Sequence, residues 1–341
     1  MKFLGGMTLI VVGAFGAGAV AAERMEPLRI LQEYTKTREA TRRHIIESEE
    51  LRENSDTASG AAPRWERNRF TLMTDGDRVD LATETEDIER DQDGAMHVLG
   101  DAVRRGAIWD GTTWSVYTSV GGGSASMSNH GRKKDHYVAA AYGGACLDGV
   151  LPGDMRPVDT ILKDADSVSA RERLEPVNGI PCHVIVATTT SGRYTLWIDP
   201  EHGYNISRAE LTKKGNDQYL GEPTTRVFKS LPSGVRPGAS ARRPKTREEI
   251  SVVLDDVRFK RIDDLWVPIE AHSLMTVKLD GGKRTTVSRR HVKRTRIDLD
   301  PDFAAAKAFI PDFPDGTEIY IEESRGIRYR WKDGKLEPVV R

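Results

Sequence analysis

The residues of this chain that could do chemistry do not gather into a site. Eight histidines are scattered along it; His130 and His136 are neighbours in sequence, and His202 follows Glu201 in a turn. A metal centre needs three or four nitrogen, sulfur or carboxylate ligands converging, and neither an HExxH nor a CxxC spacing occurs, so no metal and no cofactor is expected. Gly121-Gly122-Gly123-Ser124 lacks the Gly-Lys-Ser/Thr of a phosphate loop and its strand-to-helix setting, and reads as a flexible loop. There is no Gly-x-Ser-x-Gly elbow. Asp255-Asp256 and Asp263-Asp264 have the groups for acid–base hydrolysis, but adjacent strand residues face opposite ways, which makes them turn or surface pairs. Cys146 and Cys182 are the only cysteines; one disulfide and two buried thiols are both open, and no base is organised around either. No catalytic residue is assigned.

Two other groups of residues point to binding. Arg289, Arg290, His291, Lys293, Arg294 and Arg296 form a basic run on an expected strand, with Arg290, Arg294 and Arg296 sharing a face with Val292. With Arg242, Arg243 and Lys245 it could meet anionic head groups or an acidic partner; the simpler reading is a solvated edge strand guarded against aggregation by charge. The aromatics Trp109, Trp114, Tyr117, Tyr194, Trp197, Tyr204 and Trp266 all fall on expected strands. Tyr194, Leu196 and Ile198 take one face and Trp197 the other, as Val184 and Val186 oppose Ile185. A sheet apolar on both faces must be covered on both, by helices, by a second layer or by a ligand. Trp109, Trp114, Tyr117, Ile185, Trp197 and Trp266 are therefore the candidates for lining a cavity, with ordinary core as the competing role.

The elements that would position these residues are mostly strands. Leu28, Leu31, Tyr34 and Thr35 predict an amphipathic helix over 27–40 with Pro27 in its first turn. Strands are expected over 44–51, 65–74, 78–85, 106–110 and 113–119, with Asp75-Gly76-Asp77 and Asp110-Gly111 as turns. Residues 137–150 and 158–164 are candidate helices. Three consecutive strands follow over 182–189, 194–198 and 204–211. Strands over 252–262, 266–279 and 285–299 complete the set, the second alternating Val267, Ile269 and Ala271 with polar residues. A short helix over 302–309 and a meander over 317–321, 327–331 and 336–339 end the chain. Residues 230–247, rich in Pro, Gly, Ser and Arg, read as a mobile basic loop rather than a domain boundary.

The first residues predict export. Lys2 precedes an apolar stretch to Val20, and Val20-Ala21-Ala22 offers a small-residue cleavage site, so residues 1–22 read as a signal peptide, with an uncleaved anchor as the alternative. The formal net charge is −1, with 51 Lys and Arg against 52 Asp and Glu. That balance argues against general nucleic-acid binding, which needs a positive field.

The segment NGIPCHVIVATTTSGRYTLWIDPEHGYNISRAEL, with Leu265-Trp266-Val267-Pro268 beyond it, resembles the bacterial outer-membrane lipoprotein carrier superfamily, the LolA/LolB-like proteins, and specifically its exported relatives. The resemblance covers about residues 27–299 and rests on structural motifs; a greater length and the inserted loop 230–247 depart from a simple carrier. It implies an α+β fold in which a large antiparallel sheet curves into an unclosed half-barrel with helices on its concave side. Residues 23–299 would form that domain and 300–341 a C-terminal helix and meander. It further implies a non-enzymatic periplasmic protein that shelters a lipid or the acyl chains of a lipoprotein by burial, worth about 25 cal/mol per Å² of apolar surface. An envelope sensor or regulator that binds a membrane-anchored protein is the alternative, and a secreted hydrolase with an unrecognised site a third.

Overall fold

The computed structural model describes residues 25–57, 60–91, 93–120, 123–129, 142–225, 247–279, 281–324 and 327–339. The apolar leader and nearly all of the basic loop 230–247 lie outside these residues, as do His130, His136 and the first five residues of the candidate helix at 137–150.

Most of the described chain is strand: β1 (Arg43–Asp56), β2 (Arg64–Asp75), β3 (Arg78–Arg90), β4 (Met96–Trp109), β5 (Trp114–Thr118), β6 (Ser124–Ser128), β7 (Ser167–Ala170), β8 (Glu175–Val177), β9 (Ile180–Thr189), β10 (Gly192–Asp199), β11 (Asn205–Lys214), β12 (Gln218–Tyr219), β13 (Glu222–Pro223), β14 (Arg247–Ile262), β15 (Leu265–Leu279), β16 (Arg284–Asp298), β17 (Glu318–Ile321), β18 (Arg328–Lys332) and β19 (Lys335–Pro338). All but the β12–β13 hairpin join one large sheet, which does not close into a barrel. Both β7 and β8 pair with β9; the order then runs β9, β10, β11, β14, β15, β16, β1, β2, β3, β4, β5, β6, β17, β18, β19. Every pair is antiparallel except β6–β17, which is parallel. Strand β1 therefore joins the N-terminal meander to the strands that come after the helices.

Two helices, α1 (Pro27–Ala40) and α2 (Val158–Leu162), and a 3₁₀ turn at Gly143–Asp148 cover one face. Ile30, Leu31 and Tyr34 of α1 pack with Val158, Ile161 and Leu162 of α2 onto Ile185, Tyr194, Leu196, Ile198, Leu211, Val252 and Leu254. Polar contacts seat the helix: Thr35 Oγ1 donates to Asp159 Oδ2 (3.0 Å), Arg38 pairs with the same carboxylate (3.1 Å), and the Thr37 hydroxyl donates to the Gly203 carbonyl. The unclosed antiparallel half-barrel with few helices is thus the fold expected from the sequence.

Five expectations need correction. Ser124, read with Gly121–Gly123 as a flexible loop, opens strand β6, because Ala125 is drawn into a cluster with Phe313, Ile319 and Trp331. No helix forms over 302–309. Asp302 Oδ1 accepts from the Ala304 and Ala305 N–H groups, but Lys307 and Phe309 take φ of 51° and 64°, and the Phe309 N–H is claimed by Asp80 Oδ2 at 3.0 Å. In the candidate helix at 137–150, the described part is only the 3₁₀ turn, closed by Gly149 at φ 78°. The basic strand β16 is not an edge: it lies between β15 and β1. A bulge opposite Glu47 and Ser48 also turns Arg296 away from the face of Arg294, onto Glu47 Oε1 at 3.2 Å.

A buried ion pair fastens the far end of the core. Lys213 is fully buried, and its ammonium donates to Asp154 Oδ1 (2.6 Å) and to the carbonyls of Ser191 (2.6 Å) and Gln218 (2.7 Å). Tyr194 donates to the same carboxylate oxygen at 2.9 Å. Burial pushes the Asp154 carboxyl upward, opposed by the Lys213 charge. Removing one partner leaves a buried charge uncompensated. Lys213→Met is expected to lower stability by about 3–5 kcal/mol, and Lys213→Met with Asp154→Leu to recover part of that loss, read by urea unfolding.

Candidate ligand-binding site

The cross-strand register places rows of side chains on the helix-bearing face of β16, β1, β2, β3 and β4. One row runs Ile46, Leu72, Leu81, Ala107. Another runs Val292, Glu50, Asn68, Thr85, Val103. A third runs Arg290, Arg52, Glu66, Asp87, Leu99. The first row is core: Phe70, Leu72, Leu81, Trp109 and Trp114 are buried beneath Tyr142 and Ala145, with Tyr142 edge-on to Phe70 at 5.5 Å. The third lines a charged trough.

Two adjoining cavities of about 230 and 400 Å³ form this trough, and both are lined by Arg52 and Arg64. The first also meets Glu66, Asp87, Val103 and Arg105; the second meets Met275, Ser288 and Arg290. At its floor the Glu50 side chain is fully buried, and Oε1 accepts from Arg52 Nη2 (2.7 Å) and Asn68 Nδ2 (3.0 Å). Thr85 donates to Asn68 Oδ1 at 2.8 Å, which fixes the amide. Arg64 is held by Asp87 at 2.7 Å. Arg290 has no ion-pair partner among the described residues; burial and the neighbouring Arg52 charge push its guanidinium below the usual arginine range. Arg52 Nε, Arg290 Nε and Ser288 Oγ are shut off from solvent without a hydrogen-bond partner among the described residues. A desolvated polar atom left unpaired is costly, and three of them bordering one trough mark it as a site.

The aromatics expected to line a cavity do not converge. Trp109 and Trp114 are cross-strand partners in the covered apolar half. Ile185 is fully buried in the main core. Tyr117 packs on Phe313, with ring centroids 6.0 Å apart, and borders two further cavities of about 360 and 710 Å³. Trp197 lies on the opposite face with Cys182 and Val184, donates to Glu175 Oε2 at 3.0 Å, and sits under the Arg208 guanidinium at 4.8 Å. Trp266 is edge-on to His202 at 4.6 Å. The second apolar face at β9 and β10 is therefore covered by the chain's own side chains. Sequence reasoning placed Arg290 on a face with Val292, but missed Glu50, Arg52 and Asn68. Their signal was present: Glu50 and Arg52 continue, at every second position, the inward phase set by Ile46.

The sheet also separates the cysteines. Cys146 belongs to the helix-covered core and Cys182 to the cluster beneath Trp197, so each is a free buried thiol rather than half of a disulfide. Burial pushes the Cys146 thiol up to about 12, and that of Cys182 upward as well, the reverse of what a thiolate nucleophile needs. Among the described residues no three histidine, cysteine or acidic side chains are grouped to hold a metal ion. His202 Nδ1 lies 2.7 Å from Asp199 Oδ2, but Asp199 Oδ1 accepts the Glu201 and His202 N–H groups, so the pair staples a turn. The nearby Ser207 hydroxyl is engaged by the Trp197 carbonyl and Cys182 Sγ, each at 3.3 Å.

No family model matches the chain, and comparison with characterised proteins finds no match. Among solved structures it is similar to a DUF1329 family protein from Desulfovibrio piger, with 14% identity, a TM-score of 0.41, and coverage of 82% of this chain and 97% of that one. It is also similar to a LolA superfamily protein from Nitrosomonas europaea, with 12% identity, a TM-score of 0.36, and coverage of 82% and 95%. MucB in complex with MucA(peri) is a third, at 12% identity, a TM-score of 0.20, and coverage of 82% and 97%. The ligand must be read from the residues of the trough.

Gly143 sets the roof of the charged row. A Cβ placed there would lie 1.7 Å from Glu50 Oε2, so the carboxylate backs against the 3₁₀ turn. Gly143→Ala is expected to cost about 1–3 kcal/mol by overpacking. In a Glu50→Ala background the same change is expected to cost less than half as much, a coupling measured by a double-mutant cycle in urea.

Proposed function

We propose that this chain is an exported, non-catalytic binding protein that holds a lipid or an acylated partner in the trough of its half-barrel. The observation that carries the reading is the trough itself, cut into the helix-bearing face, with unpaired buried polar atoms at its floor and apolar side chains along its sides. Met275 borders one cavity and Val103 the other. Leu99 follows on the same row as Asp87, half exposed at 50%. Such a lip can take a hydrocarbon chain, each buried CH₂ contributing about 0.8 kcal/mol.

Export is supported by the positive and apolar leader ahead of Glu23. No helix of the described residues is long and apolar enough to cross a membrane. A binding role needs no activated nucleophile, and among the described residues the buried thiols and the Asp199–His202 turn supply none.

The reading is tested by extracting the protein, purified without detergent, with organic solvent and weighing what is released. An amphiphile in near-stoichiometric amount, and saturable displacement of a fluorescent fatty-acid probe by it, are expected. Absence of both a released amphiphile and saturable probe binding would remove the carrier reading.

A further inference from the structure

We propose that Arg52 and Arg290 form an oxyanion site on the floor of the trough, which takes a phosphate or carboxylate group of the bound ligand. The inference rests on the binding role proposed above and names the chemistry that the trough selects.

The two side chains are direct cross-strand partners on β1 and β16, so their guanidinium stems leave the same face of the sheet side by side. Like charges placed opposite one another destabilise a sheet, and desolvation of the ions adds to that penalty. The carboxylates next to Arg52 are committed to it: Glu50 Oε1 is taken by Arg52 and Asn68, with Oε2 turned toward Gly143, and Glu66 Oε2 accepts from Arg52 Nη1 at 3.5 Å, while neither is paired with Arg290. Glu50 and Glu66 thus hold Arg52, and among the described residues the Arg290 charge is left without an ion-pair partner. Arg294, on the same face of β16, also has a buried Nε without a partner among the described residues, but its charge is met: it pairs with Asp148 and donates to the Pro268 carbonyl at 2.9 Å. Arg290 has no such partner among the described residues, although it lines the cavity beside Ser288. The side chains that line this space carry two Nε–H donors and a hydroxyl that are desolvated and unpaired among the described residues. Guanidinium groups offer planar forks that match phosphate and carboxylate oxygens. An oxyanion there would supply the missing charge and the missing acceptors together.

The apolar flank of Met275 on one side and Val103 and Leu99 on the other favours an anion carried on a hydrocarbon chain. Binding of dodecyl phosphate, dodecanoate, uncharged dodecanol and inorganic phosphate to the full purified chain, below micelle formation, tests this by calorimetry. The two anionic amphiphiles are expected to bind at least ten-fold more tightly than dodecanol, and Arg290→Gln to abolish that preference while leaving dodecanol binding unchanged. Arg290→Gln removes an unpaired cation and is expected to raise the melting temperature; Arg290→Lys, which keeps the charge without the fork, serves as the second variant and is expected to retain part of the preference. If inorganic phosphate alone binds through Arg290 as tightly as dodecyl phosphate, the site stands but its ligand is a free anion. Equal affinity for charged and uncharged chains, or a preference untouched by both variants, would overturn the oxyanion site while the binding role stands. No binding of any probe would remove both.

Discussion

A strand shows only every second residue to one face of its sheet, and β1 spends that face on two incompatible surroundings. Ile46 points into core, Ser48 stands at the boundary, and Glu50 and Arg52 carry charge into the trough. Because β1 pairs with β2 on one side and β16 on the other, this change of character is imposed on both neighbours in register. Leu72 gives way to Asn68 and Glu66 along β2, and Arg294 and Val292 give way to Arg290 along β16. The helices and the 3₁₀ turn cover the apolar part, and the charged remainder forms the trough.

This division reshapes what a container built on such a sheet can hold. An apolar half-barrel would shelter hydrocarbon alone. Here α1, α2 and Tyr142 already cover the apolar inner surface, including Trp109 and Trp114. On that face the described residues leave open a strip in which Arg52, Arg64 and Arg290 stand among Glu66, Asp87 and Asp101, flanked by Met275, Val103 and Leu99. A ligand matching that strip has a charged end and an apolar end. The buried floor also explains why Gly143 must lack a side chain, since the Glu50 carboxylate that orients Arg52 fills the space a methyl would need.

Much of the fold was legible because period-two alternation and turn residues are local. The strands of β9, β10 and β11, the helix over Pro27–Ala40, and the pairing of β14 with β15 across Asp263, at φ 51°, follow from patterns within a dozen residues. Where tertiary partners decide, local reading failed. Asp80 and Arg78 capture Phe309 and cancel a helix, and Ala125 leaves a Gly/Ser stretch to join Ile319 and Trp331. The site was hidden for a similar reason. Nothing in the sequence brings β1 beside β16, some 240 residues later in the chain, so Arg52 and Arg290 read as surface charges until the register places them side by side. The aromatics are scattered rather than gathered: large apolar rings suggest a cavity, but they are also what a core is made of, and here Trp109 and Trp114, Tyr117, and Trp197 belong to three separate clusters.

The most direct test of the trough as an oxyanion-binding surface is the arginine Nε–Hε NMR spectrum of the protein, with the Arg52 and Arg290 signals assigned by substitution, recorded before and after addition of dodecyl phosphate. Both signals are expected to shift together and to exchange more slowly with solvent as their unpaired N–H groups gain acceptors. Saturable binding that leaves those two signals unmoved, while other arginines respond, would contradict it.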